Sequence, residues 1–112
     1  MQKLITKAIS KITPKLYSQE DATDPMVYAK FFHPYGSAVW LLLELDGDEN
    51  QAFGFVSLGL GEHNDELGYF NIDELKRNNV ERDVYFEPML LSEAKKKYIF
   101  NSPLERRLQN LG

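Results

Sequence analysis

Two histidines, His33 and His63, are the residues best suited to acid–base or metal chemistry near neutral pH. Neither belongs to an HExxH pair, and the two are not four apart. Topology would nonetheless bring them together. In an antiparallel meander, a strand ending at His33 and one ending near Leu60 finish on the same edge, two strand spacings or roughly 10 Å apart. His33, Tyr35, Glu62, His63 and Asp65 then share one rim. Two imidazoles and a carboxylate form a set able to hold a divalent metal or to move a proton. The plainer reading is that polar side chains collect in turns. On that reading the rim holds no metal, and no cofactor is expected.

A second group of candidates is acidic. Asp46, Asp48 and Glu49 surround Gly47, and Asp73 and Glu74 are placed to lie nearby. The spacing is not that of a calcium loop, which needs alternating acids, a glycine and a later glutamate. A solvated hairpin loop is the expected role, with Tyr35, Asp46, Asp48 and Glu49 as candidate binding residues. Other chemistry is excluded more firmly. The chain has no cysteine, hence no disulfide and no thiolate nucleophile or ligand. Gly59-Leu60-Gly61 lacks the rest of a nucleotide-binding loop and precedes a strand, not a helix. No serine sits in a Gly-x-Ser-x-Gly elbow.

Charge is unevenly laid out. Residues 1–16 carry four lysines and no acid; residues 17–93 carry sixteen acids against four bases; residues 94–112 carry five bases and Glu105. An acidic body is thus flanked by basic ends, with a net charge of −4. This balance disfavours nucleic-acid binding, which would need Lys3, Lys7, Lys11, Lys95–Lys97, Arg106 and Arg107 to form one patch. The aromatics Phe31, Phe32, Tyr35, Trp40, Tyr69, Phe70, Tyr85 and Phe86 lack the basic groove that base-stacking platforms carry, so core packing is their expected role.

The elements that would position these residues follow from hydrophobic period and punctuation. One domain is expected over 1–112. Lys3–Lys11 reads as a helix, with Leu4, Ile5, Ala8, Ile9 and Ile12 on one face and Pro14 as its stop. Residues 26–88 read as a sheet with one short helix. Its strands are Met26–His33, Ser37–Asp46, Gln51–Leu60, Glu66–Phe70 and Val80–Phe86. On the second strand, Val39, Leu41, Leu43 and Leu45 share one face, and Trp40, Leu42 and Glu44 the other. Asn71 is placed to cap the short helix, with Asp73 and Glu74 in its first turn. Leu67, Tyr69, Phe70 and Tyr85 are expected to pack. Residues 91–111 read as two helices, the first capped by Ser92. The sum is an α+β fold: an antiparallel meander of about five strands covered on one face by N- and C-terminal helices. No run is long enough to span a bilayer, and no signal sequence is visible, so a cytoplasmic protein with no membrane partner is expected.

The succession AKFFHPYGSAVW, FGFVSLGLG, ELGYFNIDEL and ERDVYFEPMLLSE resembles the family of domains of unknown function numbered 2958, over about Leu4 to Glu93. ELGYF-x-x-x-EL and ERD-x-YF-x-P are its most specific parts. The family has no established activity, so the resemblance assigns no catalytic residue. It implies a setting, an accessory protein of plasmids, integrative elements or phages. In that setting the expected mode of action is binding a protein partner, with a basic, nucleic-acid-handling protein the natural target of the acidic body. An enzyme at the His33–His63 rim and a nucleic-acid binder through the basic ends are the alternatives.

Overall fold

Thr6 sets the start of the first helix, α1 (Lys7–Ile12). Its backbone is extended, and its hydroxyl accepts the Ile9 N–H at 3.1 Å, satisfying one of the donors a helix start leaves open. The helix therefore begins four residues later than the apolar period alone suggests. Leu4 and Ile5 are buried from the bend before it. Thr13 is extended ahead of Pro14 and ends the helix as anticipated.

The computed structural model describes residues 2–59 and 65–99. The elements after α1 are β1 (Met26–Val27), β2 (Ala29–Phe32), β3 (Val39–Leu45), β4 (Gln51–Ser57), β5 (Glu66–Asn71), α2 (Ile72–Arg77), β6 (Glu81–Arg82), β7 (Met89–Leu90) and α3 (Leu91–Tyr98). Five strands form an antiparallel sheet in the order β5-β4-β3-β2-β6. β2 to β5 are the expected meander. After α2 the chain reaches the opposite edge and adds β6 beside β2. β1 and β7 pair separately. Among the described residues no helix is long and apolar enough to cross a membrane. The second of the two C-terminal helices expected from the sequence lies outside the described residues.

The central strand β3 is apolar on both sides, and Leu41 and Leu42 are both fully buried. Each face of the sheet therefore needs its own cover. Leu4, Ile5, Ile72, Leu75 and Val80 cover one face, over Ala29, Phe31, Leu42, Leu45 and Ala52. Leu91 and Ala94 of α3 cover the other, over Val27, Leu41, Leu43 and Phe55. The two terminal helical segments thus sit on opposite faces, not on one as the sequence suggests.

Three local expectations change with this arrangement. Met26–His33 is two strands, not one. The chain breaks its alternation at Tyr28, so Val27 and Ala29 face different cores although they are two apart. The strand expected over Val80–Phe86 shrinks to Glu81–Arg82. Asp83 then accepts the Tyr85 N–H through its carboxylate at 2.9 Å and folds the chain into a turn. Val84 and Tyr85 are left exposed instead of packed. Ser92 is the second residue of α3, not its cap. The cap comes from a distant loop: Asp24 accepts the Ser92 N–H at 2.9 Å and the Ser92 hydroxyl at 2.6 Å. The Ser92 hydroxyl and N–H, with Lys95 adding to them, hold the Asp24 carboxyl below the usual carboxylate range against a smaller opposing effect of burial.

α2 is built as its sequence indicates. The Asn71 side chain accepts the Asp73 and Glu74 N–H groups, with both acids in the first turn and Lys76 and Arg77 in the last. Asn79, at φ +61°, closes the helix in the left-handed region.

The irregular point of the sheet is on β3. Leu42 is opposite Gly54 and Glu44 is opposite Phe53, so Leu43 is an extra residue, a β-bulge. One extra residue reverses the faces beyond it. Leu45 joins Leu42 on the first core, while Glu44 turns to the side of Leu43 and Phe53. Gly54 is required where the strands are drawn together. A Cβ there would lie 1.9 Å from the Leu41 carbonyl oxygen and 3.2 Å from the Phe70 ring. Gly54→Ala is accordingly expected to destabilise the protein by roughly 3 kcal/mol or to prevent folding. Gly68→Ala, on β5 with open space around it, should have less than half that effect in the same urea titration.

Candidate functional site

The rim expected from the sequence is only partly within the described residues: Glu62 and His63 lie outside them. His33 is committed to its own turn. Its Nδ1 accepts the Tyr35 N–H at 3.2 Å, its carbonyl accepts the Gly36 N–H at 3.2 Å, and its ring meets the Tyr35 ring edge-on at 6.2 Å. It borders an open cleft of about 440 Å³ with Trp40, Phe70 and Glu74. Tyr35 is 91% exposed, and Asp65 is half-buried just before β5. Among the described residues no three His, Asp or Glu side chains are grouped to hold a metal ion.

The hairpin acids shape their own loop. Asp46 accepts the Gly47 N–H at 2.8 Å, and Asp48 accepts those of Asn50 and Gln51 at 2.9 and 3.2 Å. These are the Asx-type bonds that favour such residues in turns. Glu49, at φ +57°, accepts the Ser10 hydroxyl of α1 at 2.5 Å. Asn50 ties the loop to α2, its carbonyl accepting the Ile72 N–H at 2.8 Å and its side chain the Asp73 N–H at 2.9 Å. The structure therefore does bring Asp46, Asp48, Glu49, Asp73 and Glu74 to one end of the sheet, all of them exposed.

A different site lies at the bulge. β2 is shorter than β3, so the β2-side edge of β3 beyond Leu42 would be bare. Residues 14–19 fill it. The Pro14 carbonyl accepts the Leu45 N–H at 2.9 Å. The Glu44 carboxylate, on a residue only 4% exposed, accepts the Tyr17 N–H at 2.8 Å with one oxygen and the Gln19 N–H at 2.7 Å with the other. Gln19 works in the opposite sense. Its amide nitrogen donates to the carbonyls of Leu43, at 2.9 Å, and Met26, at 3.0 Å, and its oxygen accepts the Met26 N–H at 2.7 Å. The Leu43 carbonyl, the Leu45 N–H and both Glu44 carboxylate oxygens are thereby paired, as burial demands. Tyr17 is held at φ +72°, a left-handed conformation rare for a bulky residue.

Above Glu44 is a pocket of about 290 Å³. Phe53, Leu67 and Tyr69 form one wall, and Tyr17, Glu20 and Pro25 contribute the other. Phe53 and Tyr69 pack edge-to-face at 5.0 Å. Among the described residues no lysine, arginine or histidine lines it. Its hydrogen bond with the Tyr17 hydroxyl keeps the Tyr69 phenol protonated above the usual phenol range, with burial and the charges of Glu44 and Glu20 acting in the same direction. Tyr69 is half-exposed here, not packed away as its place on a strand suggests.

The sequence contains one sign of this site that its hydrophobic pattern hides. Glu44 is the lone charge in the apolar run Val39–Leu45, and a charge in such a strand is almost always paired. Its strict alternation places it beside Trp40 and Leu42; the bulge moves it to the other face. Nothing in the polar segment Ser18–Pro25 marks Gln19 as its partner.

Two outcomes follow. Glu44→Ala leaves two part-buried N–H groups without their acceptors and should cost about 2 kcal/mol in urea unfolding, with faster amide exchange in residues 17–25. Tyr17→Phe removes the main hold on the Tyr69 proton, so the Tyr69 phenolate should form at lower pH in an ultraviolet or NMR titration. The sign follows from linkage. A raised phenol pKa stabilises the fold fully below the unfolded value of about 10, and this contribution is lost as pH rises through the folded value. The wild type should therefore lose more stability than Tyr17→Phe across that alkaline interval.

One family model matches the chain, described as Protein of unknown function (DUF2958), over residues 2–96. No match was found among curated proteins, and none among solved structures.

Proposed function

The chain belongs to the DUF2958 family, and from that premise we propose that it is a non-enzymatic accessory protein of a mobile element or phage. It acts in the cytoplasm by binding a basic protein partner, a nucleic-acid-handling protein being the natural class. The observation that carries the reading is the acidic end of the sheet. Asp46, Asp48, Glu49, Asp73 and Glu74 are exposed together where the β3–β4 hairpin is tied to α2. The ion pair formed between described residues, Lys30–Asp83 at 3.4 Å, involves none of them. A surface of one sign steers and selects a partner of the other.

The nucleic-acid alternative has less support. Leu4 and Ile5, beside Lys3 and Lys7, pack on one face of the sheet, and Leu91 and Ala94, beside Lys95–Lys97, pack on the other. The lysines of the two ends are therefore separated by the sheet, whereas a nucleic-acid surface needs them contiguous.

The test is affinity capture on the full chain from a host extract, at low and high salt. A basic protein should be retained at low salt and eluted as screening shortens the reach of charge to a few ångströms. The combined variant Asp48→Lys, Glu49→Lys and Glu74→Lys should bind it at least about tenfold more weakly. Retention of nothing at low salt, or unchanged retention by that variant, would contradict the proposal. So would a mobility shift of DNA at moderate salt stronger than any protein capture.

A further inference from the structure

We infer that the pocket at the β3 bulge receives the guanidinium group of an arginine side chain presented by the basic partner. This assignment rests on the partner-binding reading and names the recognition chemistry within it.

Size comes first. At about 290 Å³ the pocket is at the lower end of small-molecule sites, roughly 300–1,000 Å³, and suits one side chain better than a cofactor. Charge selects the side chain. Glu44 and Glu20 line the pocket, and among the described residues no base stands beside them. Each Glu44 oxygen holds one backbone N–H. A carboxylate has about four acceptor positions, so each oxygen retains acceptor capacity for a further donor.

The walls choose between the two cations. Tyr17, Phe53 and Tyr69 are aromatic, with Tyr17 and Tyr69 well exposed and within reach of an incoming group. A guanidinium stacks on aromatic faces, is weakly hydrated and offers a fork of donors to a carboxylate. An ammonium is more strongly hydrated and lacks the flat face. The carboxylate is also preorganised, because the same bonds that fold residues 17–19 onto β3 fix its orientation before any partner arrives.

The probe is Nα-acetyl-arginine amide, titrated into the full chain and followed by amide NMR, with the lysine and citrulline counterparts as controls. Shifts should concentrate at Tyr17, Gln19 and Tyr69. Arginine should bind at least about threefold more tightly than lysine, and the uncharged citrulline should not bind. Glu20→Gln and Tyr69→Leu alter exposed or half-exposed side chains and leave the Glu44 bonds in place. They should weaken arginine binding by about threefold and fivefold. Equal binding of citrulline, lysine as tight as arginine, or shifts located elsewhere would overturn the assignment. The two readings fail separately. Partner capture that survives Tyr69→Leu removes the pocket from the interface and leaves the acidic end as the binding surface. Loss of all capture, with arginine amide still seated in the pocket, defeats the partner reading while the site chemistry stands.

Discussion

The arrangement depends on one buried carboxylate. A charge in a protein interior is tolerated only when it is hydrogen-bonded or paired, and the Glu44 carboxylate draws the Tyr17 and Gln19 N–H groups onto the central strand, one to each oxygen. The requirement is mutual. The extra residue is Leu43, and the Gln19 side chain donates to its carbonyl. Acid, bulge and loop thus form one unit, and none of the three is stable as drawn without the others. The same unit determines which face carries negative charge. With regular alternation, Glu44 would point into the core beneath α1, among Leu42 and Phe31.

From this point the rest of the sheet can be understood as accommodation. The bulge draws β3 so close to β4 that position 54 admits no side chain. It coincides with the break between β1 and β2, where Tyr28 donates to the Leu42 carbonyl at 2.9 Å and the chain leaves β3 to pair with β7. That departure frees the β3 edge for residues 14–19. It also brings Pro25 to α3, whose Leu91 N–H the Pro25 carbonyl accepts at 2.8 Å. The loop that completes the pocket therefore also holds α3 on its face of the sheet, through Pro25 and through the Asp24 cap.

Much of this fold is legible in the sequence because its signals are local. Asn71 before Ile72-Asp73-Glu74, Pro14 after α1 and the hairpin loop around Gly47 each act through neighbours in the chain, and the structure follows them. What is hidden depends on pairs distant in sequence. The bulge at Leu43 leaves no mark in a run of leucines, since leucine suits either face. Ser92 reads as a cap until Asp24, far away in the chain, supplies one. Tyr85 looks like a strand aromatic, but Asp83 turns the chain before it can pack. The hairpin acids are legible as a loop and their convergence with α2 can be anticipated, whereas the pocket cannot, because it exists only once Glu44 has changed faces.

In the folded protein the Glu44 carboxylate holds residues 17–19 against β3. Residue-resolved hydrogen exchange of the unaltered chain tests it most directly, since Tyr17 and Gln19 belong to no helix or strand. Their amides should exchange as slowly as those in the centre of β3, opening only when the sheet does. Exchange at Tyr17 and Gln19 as fast as in the neighbouring exposed loop residues would contradict it.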